Sequence, residues 1–197
     1  DMGISASGEM KPGNEPGIEI RAKYTVLGEG CRGHLGKEII AKYNLSDDKD
    51  PQHYGIGFKE VWKLKDEVYE PGLVMHTNGW PTPLDTPSGS YFYHGENNEA
   101  YVGYVIPLDY KNPHLSPFDE FQKWKTHPSI KKYLEGAERL SYGARALIKG
   151  GLQSLPKLDF PGGLLIGDNA GMLNFSKIKG SHTAMKSGTI AGEHVYE

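Results

Sequence analysis

The residues with the most evident chemistry lie in two stretches near the carboxyl end, 163–171 and 179–188. The first is apolar up to Ile166, which predicts a strand that presents Asp168 at its carboxyl end, where α/β folds bind ligands. A helix is predicted after Gly180, and the free amides of a helix start can face an anion. Together these groups could bind the ribityl hydroxyls and the isoalloxazine of a flavin. The alternative, that Asp168 caps a turn and Gly180 only begins a helix, stays open.

A second glycine loop lies at residues 28–33. Residues 17–28 predict a strand, and the apolar spacing after Gly33 predicts a helix that ends near Asn44. Gly30 would let the backbone approach a cofactor closely. We assign neither a glycine-rich dinucleotide fingerprint nor a Walker lysine motif to this loop, so alone it is a weak indication of a cofactor site, and we interpret Glu29 as a solvated loop acid.

Composition excludes several functions. The 197 residues carry 22 Lys and Arg against 25 Asp and Glu, a net charge of −3, so we expect no nucleic-acid partner. Cys31 is the single cysteine, which excludes an internal disulfide and an iron–sulfur cluster ligated by this chain alone. The eight histidines have no metal-site spacing, and we assign no catalytic residue and no metal ligand. No apolar run approaches the roughly 18–20 residues of a membrane-spanning helix.

The middle of the chain predicts an antiparallel sheet with helices. Short β-branched and aromatic runs at 53–64, 73–80, 89–94 and 100–108 predict its strands, and residues 138–147 predict a further strand. Ser116 and Pro117 predict a capped helix, and a short helix follows at 130–134. The fold class is therefore α/β (α+β). We expect a sheet-and-helix domain at 47–160 to interrupt an α/β domain made of residues 1–46 and 161–197.

Several strings of the sequence, in order along essentially the whole chain, resemble the electron transfer flavoprotein–ubiquinone oxidoreductase family of glutathione-reductase-like flavoproteins. They are residues 28–35, 54–62, 115–118, 124–125, 127–130, 142–147 and 177–188. The resemblance implies FAD, ubiquinone and a [4Fe-4S] cluster that this chain does not ligate. It implies electron flow from reduced electron transfer flavoprotein to the quinone of a bacterial or mitochondrial inner membrane, with peripheral membrane association. It also implies an internal piece of such a protein, so we expect the isolated chain to be inactive.

The same resemblance implies roles for particular residues. Those expected to contact FAD are Gly30, Gly167, Asp168, Asn174, Gly180, Ser181, His182 and Thr183. The quinone-contacting loop corresponds to Pro87, Ser88 and Gly89, where a tyrosine and two glycines are more usual in the family. We expect Gly89 to present its backbone amide to the quinone.

Two other functions compete with this interpretation. One is a related FAD-dependent reductase of the isoprenoid (geranylgeranyl) type, against which the strings between Tyr54 and Leu147 argue. The other is a binding module with no redox role. The strand aromatics favour sheet core over a quinone slot, because aromatic side chains suit pleated surfaces. They are Trp62, Trp80, Tyr91, Phe92, Tyr93 and Tyr101.

Overall fold

The computed structural model describes residues 2–174 and 180–196. Its strands are β1 (Met2–Ile4), β2 (Met10–Glu15), β3 (Thr25–Leu27), β4 (Tyr54–Lys63), β5 (Val74–Asn78), β6 (Gly89–His94), β7 (Glu99–Pro107), β8 (Glu138–Ile148), β9 (Asp159–Phe160) and β10 (Gly163–Leu165). Its α-helices are α1 (His34–Lys42), α2 (Pro117–Lys125), α3 (Pro128–Leu134) and α4 (Ser181–Tyr196). The mixed α/β class with an antiparallel sheet is confirmed.

The largest sheet has five antiparallel strands in the order β5-β6-β7-β4-β8. Strand β4 pairs with β7 from Gly55↔Pro107 to Lys63↔Glu99, and with the edge strand β8 on its other side. The turn between β6 and β7 places Asn97 and Asn98 at positive φ, which asparagine tolerates better than most residues. Because side chains alternate along each strand, the sheet has two faces of different character.

One face of this sheet packs against α2 and α3 and holds the main core. Helix α2 begins where the sequence predicts, with the Asp119 amide donating to the Ser116 hydroxyl at 3.3 Å and Pro117 in the first turn. Its Trp124 is 2% exposed. The largest buried side chains of this layer are Phe92, Val102, Tyr104, Ile106, Phe121, Trp124, Ile130 and Tyr133.

A smaller sheet joins distant parts of the chain in the order β3-β10-β9. Strands β3 and β10 are parallel, with Leu27 opposite Leu165, so their carboxyl ends lie side by side. The predicted strand at 17–28 is wrong for residues 17–24, where no strand forms and Ile18 is 93% exposed. A segment with alternating apolar and polar residues is not stabilised as a strand when no neighbouring strand pairs with it. The division of the chain at residues 47 and 160 stays a prediction.

Candidate functional site

The face of the five-stranded sheet opposite the helices carries tyrosines and glycines. The ring of Tyr91 lies over Gly103 of β7, so closely that a Cβ on Gly103 would fall 2.1 Å from a ring carbon. The Tyr91 and Tyr93 rings stack with centroids 4.9 Å apart. The prediction that the aromatics form core holds for Phe92, which is fully buried, and is wrong for Tyr91 and Tyr93, which face the other way. Strand alternation sends neighbouring aromatics to opposite faces.

A cavity of about 980 Å³ lies on this face. Its lining is predominantly apolar and includes Gly89, Tyr91, Tyr93, Val105, Gly143 and Leu147. A volume of this size suits a ligand with a flat ring and an apolar substituent. Burial raises the pKa of Tyr91 above the ordinary tyrosine value, with the neighbouring Tyr93 adding to the shift. The Tyr91 phenol therefore stays protonated at neutral pH and can donate a hydrogen bond.

All three residues of the predicted quinone loop line this cavity. The hydroxyl of Ser88 is committed elsewhere, since it accepts from Tyr104 Oη at 2.8 Å and donates to the Gly79 carbonyl at 2.9 Å. Gly89 lies between Asn78 of β5 and Val105 of β7. Peptide groups of an inner strand mostly point along the sheet towards neighbouring strands, and the contact of the Gly89 amide with the quinone stays a prediction. Gly89 also contributes open space where a Cβ would stand.

A second group of polar residues collects at the carboxyl ends of β3 and β10. Gly30 has a φ of +84°, and a Cβ there would lie 3.5 Å from Arg145 Nη2. Asp168 is half-buried, and burial raises the pKa of its carboxyl, opposed by a hydrogen bond from the Ile148 amide and by the charge of Arg145. Burial and the charge of Asp168 raise the pKa of the Cys31 thiol. The Gly30 loop, the end of β8 and the turn after β10 thus meet at one place.

The remaining predicted FAD residues surround the start of α4. The amide of Gly167 donates to Ser187 Oγ at 3.0 Å, and the Thr183 hydroxyl donates to the Gly180 carbonyl at 2.9 Å. The Gly167 amide therefore fastens the turn after β10 to α4, whereas the Thr183 bond lies within the start of α4. Ser181 and His182 are exposed in the first turn of α4, and Asn174 is half-buried.

The glycine loop at 28–33 does have the spacing of a dinucleotide fingerprint, which the sequence analysis did not assign to it. Its glycines have the spacing G-x-G-x-x-G between a strand and a helix, the context in which a phosphate can bind at the helix start. In the structure Glu29 takes that position: its carboxylate accepts from the amides of Leu35 at 3.3 Å and Gly36 at 2.8 Å. Glu29 is exposed, as its interpretation as a solvated acid expects, and its carboxylate also caps α1.

Residues 54–147 match the family model described as "ETF-QO, ubiquinone-binding". The whole chain is 61% identical to the probable electron transfer flavoprotein-ubiquinone oxidoreductase of Acinetobacter baylyi and 58% identical to that of Pseudomonas aeruginosa. The chain belongs to the electron transfer flavoprotein–ubiquinone oxidoreductase family. It is also 53% identical, over its whole length, to the mitochondrial relative of Sus scrofa. The chain spans 35%, 36% and 32% of the lengths of these three relatives.

Two solved structures share the fold of this family segment. A flavoprotein/dehydrogenase from Cytophaga hutchinsonii superposes with a TM-score of 0.53 at 16% identity, over 86% of this chain and 40% of that one. A flavin-dependent halogenase from Brevundimonas sp. BAL3 has the same TM-score at 13% identity, over 87% of this chain and 30% of its own. Within residues 2–174 and 180–196, no helix is long and apolar enough to cross a membrane, and no three His, Cys, Asp or Glu residues group as a metal site.

The groups around Gly30 and Asp168 fit part of FAD. Asp168 offers carboxylate oxygens to hydroxyl donors, Arg145 offers a positive charge, and Gly30 leaves its Cβ position open beside them. The start of α1 does not fit the pyrophosphate, because Glu29 occupies its first amides and would repel an anion. A cofactor on this chain would therefore place its hydroxyl-bearing part near Asp168.

Proposed function

We propose that this chain supplies the quinone-binding domain and two FAD-contacting segments of an oxidoreductase. The whole protein passes electrons from reduced electron transfer flavoprotein, through FAD and a [4Fe-4S] cluster, to ubiquinone at the inner membrane. The supporting observation is the cavity of about 980 Å³, most of whose lining lies within the residues that match the ubiquinone-binding model. The cluster needs ligands from outside this chain, because Cys31 is its single cysteine.

The cavity suits a quinone in both shape and chemistry. A quinone has a flat ring with two carbonyl acceptors and an apolar tail. Its site therefore needs space above the sheet for the ring, apolar walls and few hydrogen-bond donors. Gly89 and Gly143 have no side chains that would occupy this space. Val105 and Leu147 supply apolar surface. The protonated Tyr91 hydroxyl is one donor that the cavity can offer to a carbonyl oxygen.

FAD, when bound, supplies the redox chemistry that links the electron donor to the quinone. The chain's own contribution is to hold it: Asp168 accepts hydrogen bonds from its hydroxyl groups, and Arg145 and the start of α4 place positive electrostatic potential nearby. Arg145 also belongs to β8, whose residues Gly143 and Leu147 line the cavity. One strand thus connects the two candidate sites.

The test is to fill the cavity in the full-length protein that contains this chain. A side chain at Gly143 meets no atom within 4 Å of its Cβ, so Gly143→Leu projects into the cavity without a backbone clash. Gly89→Leu places a side chain at the loop end, where the nearest atom is the Thr77 carbonyl oxygen at 3.7 Å. Gly192→Leu is the matched control, because its Cβ also meets nothing within 4 Å and it lies on α4 away from the cavity.

Steady-state assays with a short-chain ubiquinone and with an artificial acceptor are run on the same preparation. We expect Gly143→Leu and Gly89→Leu to raise the KM for quinone about tenfold, equivalent to about 1.4 kcal/mol. Flavin content and reduction of the artificial acceptor should stay at the level of Gly192→Leu. If both activities fall together with flavin, these positions are structural. If the quinone KM does not change, the quinone binds elsewhere.

A further inference from the structure

His76 and Tyr93 form a hydrogen-bonded pair in the wall of the cavity. His76 Nε2 lies 2.8 Å from Tyr93 Oη, and the two rings meet edge to face with centroids 5.3 Å apart. Both residues line the cavity, yet they differ in burial: His76 on β5 is exposed, whereas Tyr93 on β6 is half-buried. The pair therefore connects solvent with the interior of an otherwise largely apolar cavity.

Quinone reduction requires such a connection. A quinone becomes a quinol by taking up two electrons and two protons, with one new O–H bond at each carbonyl oxygen. In the function proposed above, the reduced flavin is the source of the electrons. The protons must come from water, which an apolar cavity excludes, so a chain of exchangeable groups has to carry them.

We propose that His76 and Tyr93 carry protons from solvent to the quinone bound in the cavity, an inference that rests on the proposed quinone-reducing function. At the carbonyl oxygen beside Tyr93, the Tyr93 O–H bond breaks as an O–H bond forms on the quinone, and the other carbonyl oxygen takes its proton from solvent by a separate route. The proton on His76 Nε2 then restores the Tyr93 hydroxyl, and solvent returns a proton to His76. Histidine suits this position because one ring nitrogen can accept a proton while the other donates one.

The other titratable groups on this face are less suited to the role. Tyr91 stacks on Tyr93, lies over Gly103 and stands opposite His76 in the pairing of β5 with β6, but the hydrogen-bonding distance from His76 Nε2 runs to the Tyr93 hydroxyl. Tyr101 stands opposite Tyr93 on β7, and its hydroxyl donates to Glu99 at 3.1 Å. Lys59 of β4 and Lys149 also border the cavity, and Lys149 lies 3.6 Å from Asp109. Among the described residues that line the cavity, His76 and Tyr93 are thus an imidazole and a phenol within hydrogen-bonding distance of each other.

The experiment uses the full-length flavin-loaded enzyme with two acceptors. Ubiquinone requires protons, whereas ferricenium takes single electrons without them, so only the first reaction depends on proton supply. The variants are His76→Ala, Tyr93→Phe and the double variant, and His114→Ala is the control because His114 is exposed and does not line the cavity. Each is assayed with and without added imidazole, which can enter the space left by the histidine ring.

We expect His76→Ala to lower kcat with quinone about a hundredfold, the lower end of what positioned acid–base groups supply. Ferricenium reduction should be unchanged, and imidazole should restore quinone turnover in His76→Ala but not in the double variant. An unchanged kcat, or a rise in KM alone without imidazole rescue, would show that the pair only shapes the cavity and overturns the proposal. If the unmodified enzyme neither binds nor reduces quinone, the proposed function itself fails, and the His76 proposal fails with it.

Discussion

The carboxylate of Glu60 accepts hydrogen bonds from the Lys125 ammonium at 2.8 and 3.0 Å, although the Glu60 side chain is only 3% exposed. Trp62 Nε1 donates to the same carboxylate at 2.8 Å. Glu60 lies on β4 and Lys125 on α2, so this ion pair joins the helix layer to the sheet whose other face bears the cavity.

Removing one partner of this pair should be strongly destabilising. Lys125→Met leaves a buried carboxylate whose remaining cation, Arg139 at 3.3 Å, is nearly half exposed. A buried pair broken in this way typically costs about 3–5 kcal/mol, and the remaining Arg139 and Trp62 contacts favour the lower end. Urea unfolding followed by tryptophan fluorescence measures the change. Glu19→Gln, which removes an exposed pair with Arg21, is the control, and a Lys125→Met loss no larger than the control's would contradict the prediction.

The buried hydroxyls beside the cavity make a second stability prediction. Tyr104 Oη donates to Ser88 Oγ at 2.8 Å, and Thr82 Oγ1 lies 2.6 Å from the same oxygen. Ser88→Ala leaves these hydroxyls without that partner, which costs about 1–3 kcal/mol. Tyr104→Phe combined with Ser88→Ala removes both ends of one bond, so the double variant should lose less than the sum of the two single losses. Urea unfolding of all three variants gives the coupling energy, and additive losses would refute the bond's contribution.

Local patterns predicted the sheet and α2 because their determinants lie close together in sequence. Alternation in β6 and β7 with Asn97 and Asn98 between them favours a hairpin, and Ser116 next to Pro117 favours a helix start. Ile18 and Ile20 show the limit of such reasoning, since their alternation has no partner strand and both are exposed.

The candidate sites were harder to predict, because they depend on contacts between distant residues. His76 and Tyr93 are joined only through the register of β5 on β6, which places His76 opposite Tyr91. The commitment of the Ser88 hydroxyl depends on Tyr104, 16 residues away on the next strand. The cap formed by Glu29 also depends on the fold, because its carboxylate reaches the amides of Leu35 and Gly36 only when the loop at 28–33 turns back over the start of α1.

The pH dependence of stability should report on His94. The ring is 6% exposed, stacks on Tyr69 with centroids 5.6 Å apart, and its Nδ1 lies 2.9 Å from the Glu70 amide. Burial lowers its pKa below the ordinary value of about 6.5. The unfolded chain therefore binds a proton that the folded protein does not, and this group makes the free energy of unfolding fall as the pH falls below about 6.5.

His94→Gln should remove that contribution. The amide oxygen of glutamine can still accept from Glu70, but it does not titrate, so the variant should lose less stability than the unmodified protein between pH 7 and pH 5. Urea unfolding at several pH values measures both slopes. His114→Gln, at an exposed histidine, should keep the original slope. Equal slopes for His94→Gln and the unmodified protein would show that His94 does not titrate differently on folding.

Asp168 should show opposite effects on stability and on flavin binding. Burial raises the pKa of its carboxyl, so between the unfolded and the folded pKa the folded protein binds more protons. Its contribution to stability is therefore largest at low pH and decreases as the pH rises through the raised pKa. Asp168→Asn keeps an oxygen to accept from the Ile148 amide and removes the charge. We expect this variant to be more stable than the unmodified apoprotein at pH 7, with the difference disappearing in acid.

In the full-length protein, the same change should weaken the binding of FAD. Hydrogen bonds to a charged acceptor are worth about 1.5–3 kcal/mol, against roughly 1 kcal/mol for a neutral one. The expected rise in the Kd for FAD is about three- to tenfold, measured by titrating the apoprotein with FAD. Asp47→Asn, in an exposed loop, controls for the loss of one negative charge. If Asp168→Asn is more stable than the unmodified protein but binds FAD equally well, Asp168 acts only in the turn. If the variant is less stable at pH 7, the charge of Asp168 is needed for its contacts with Ile148 and Arg145.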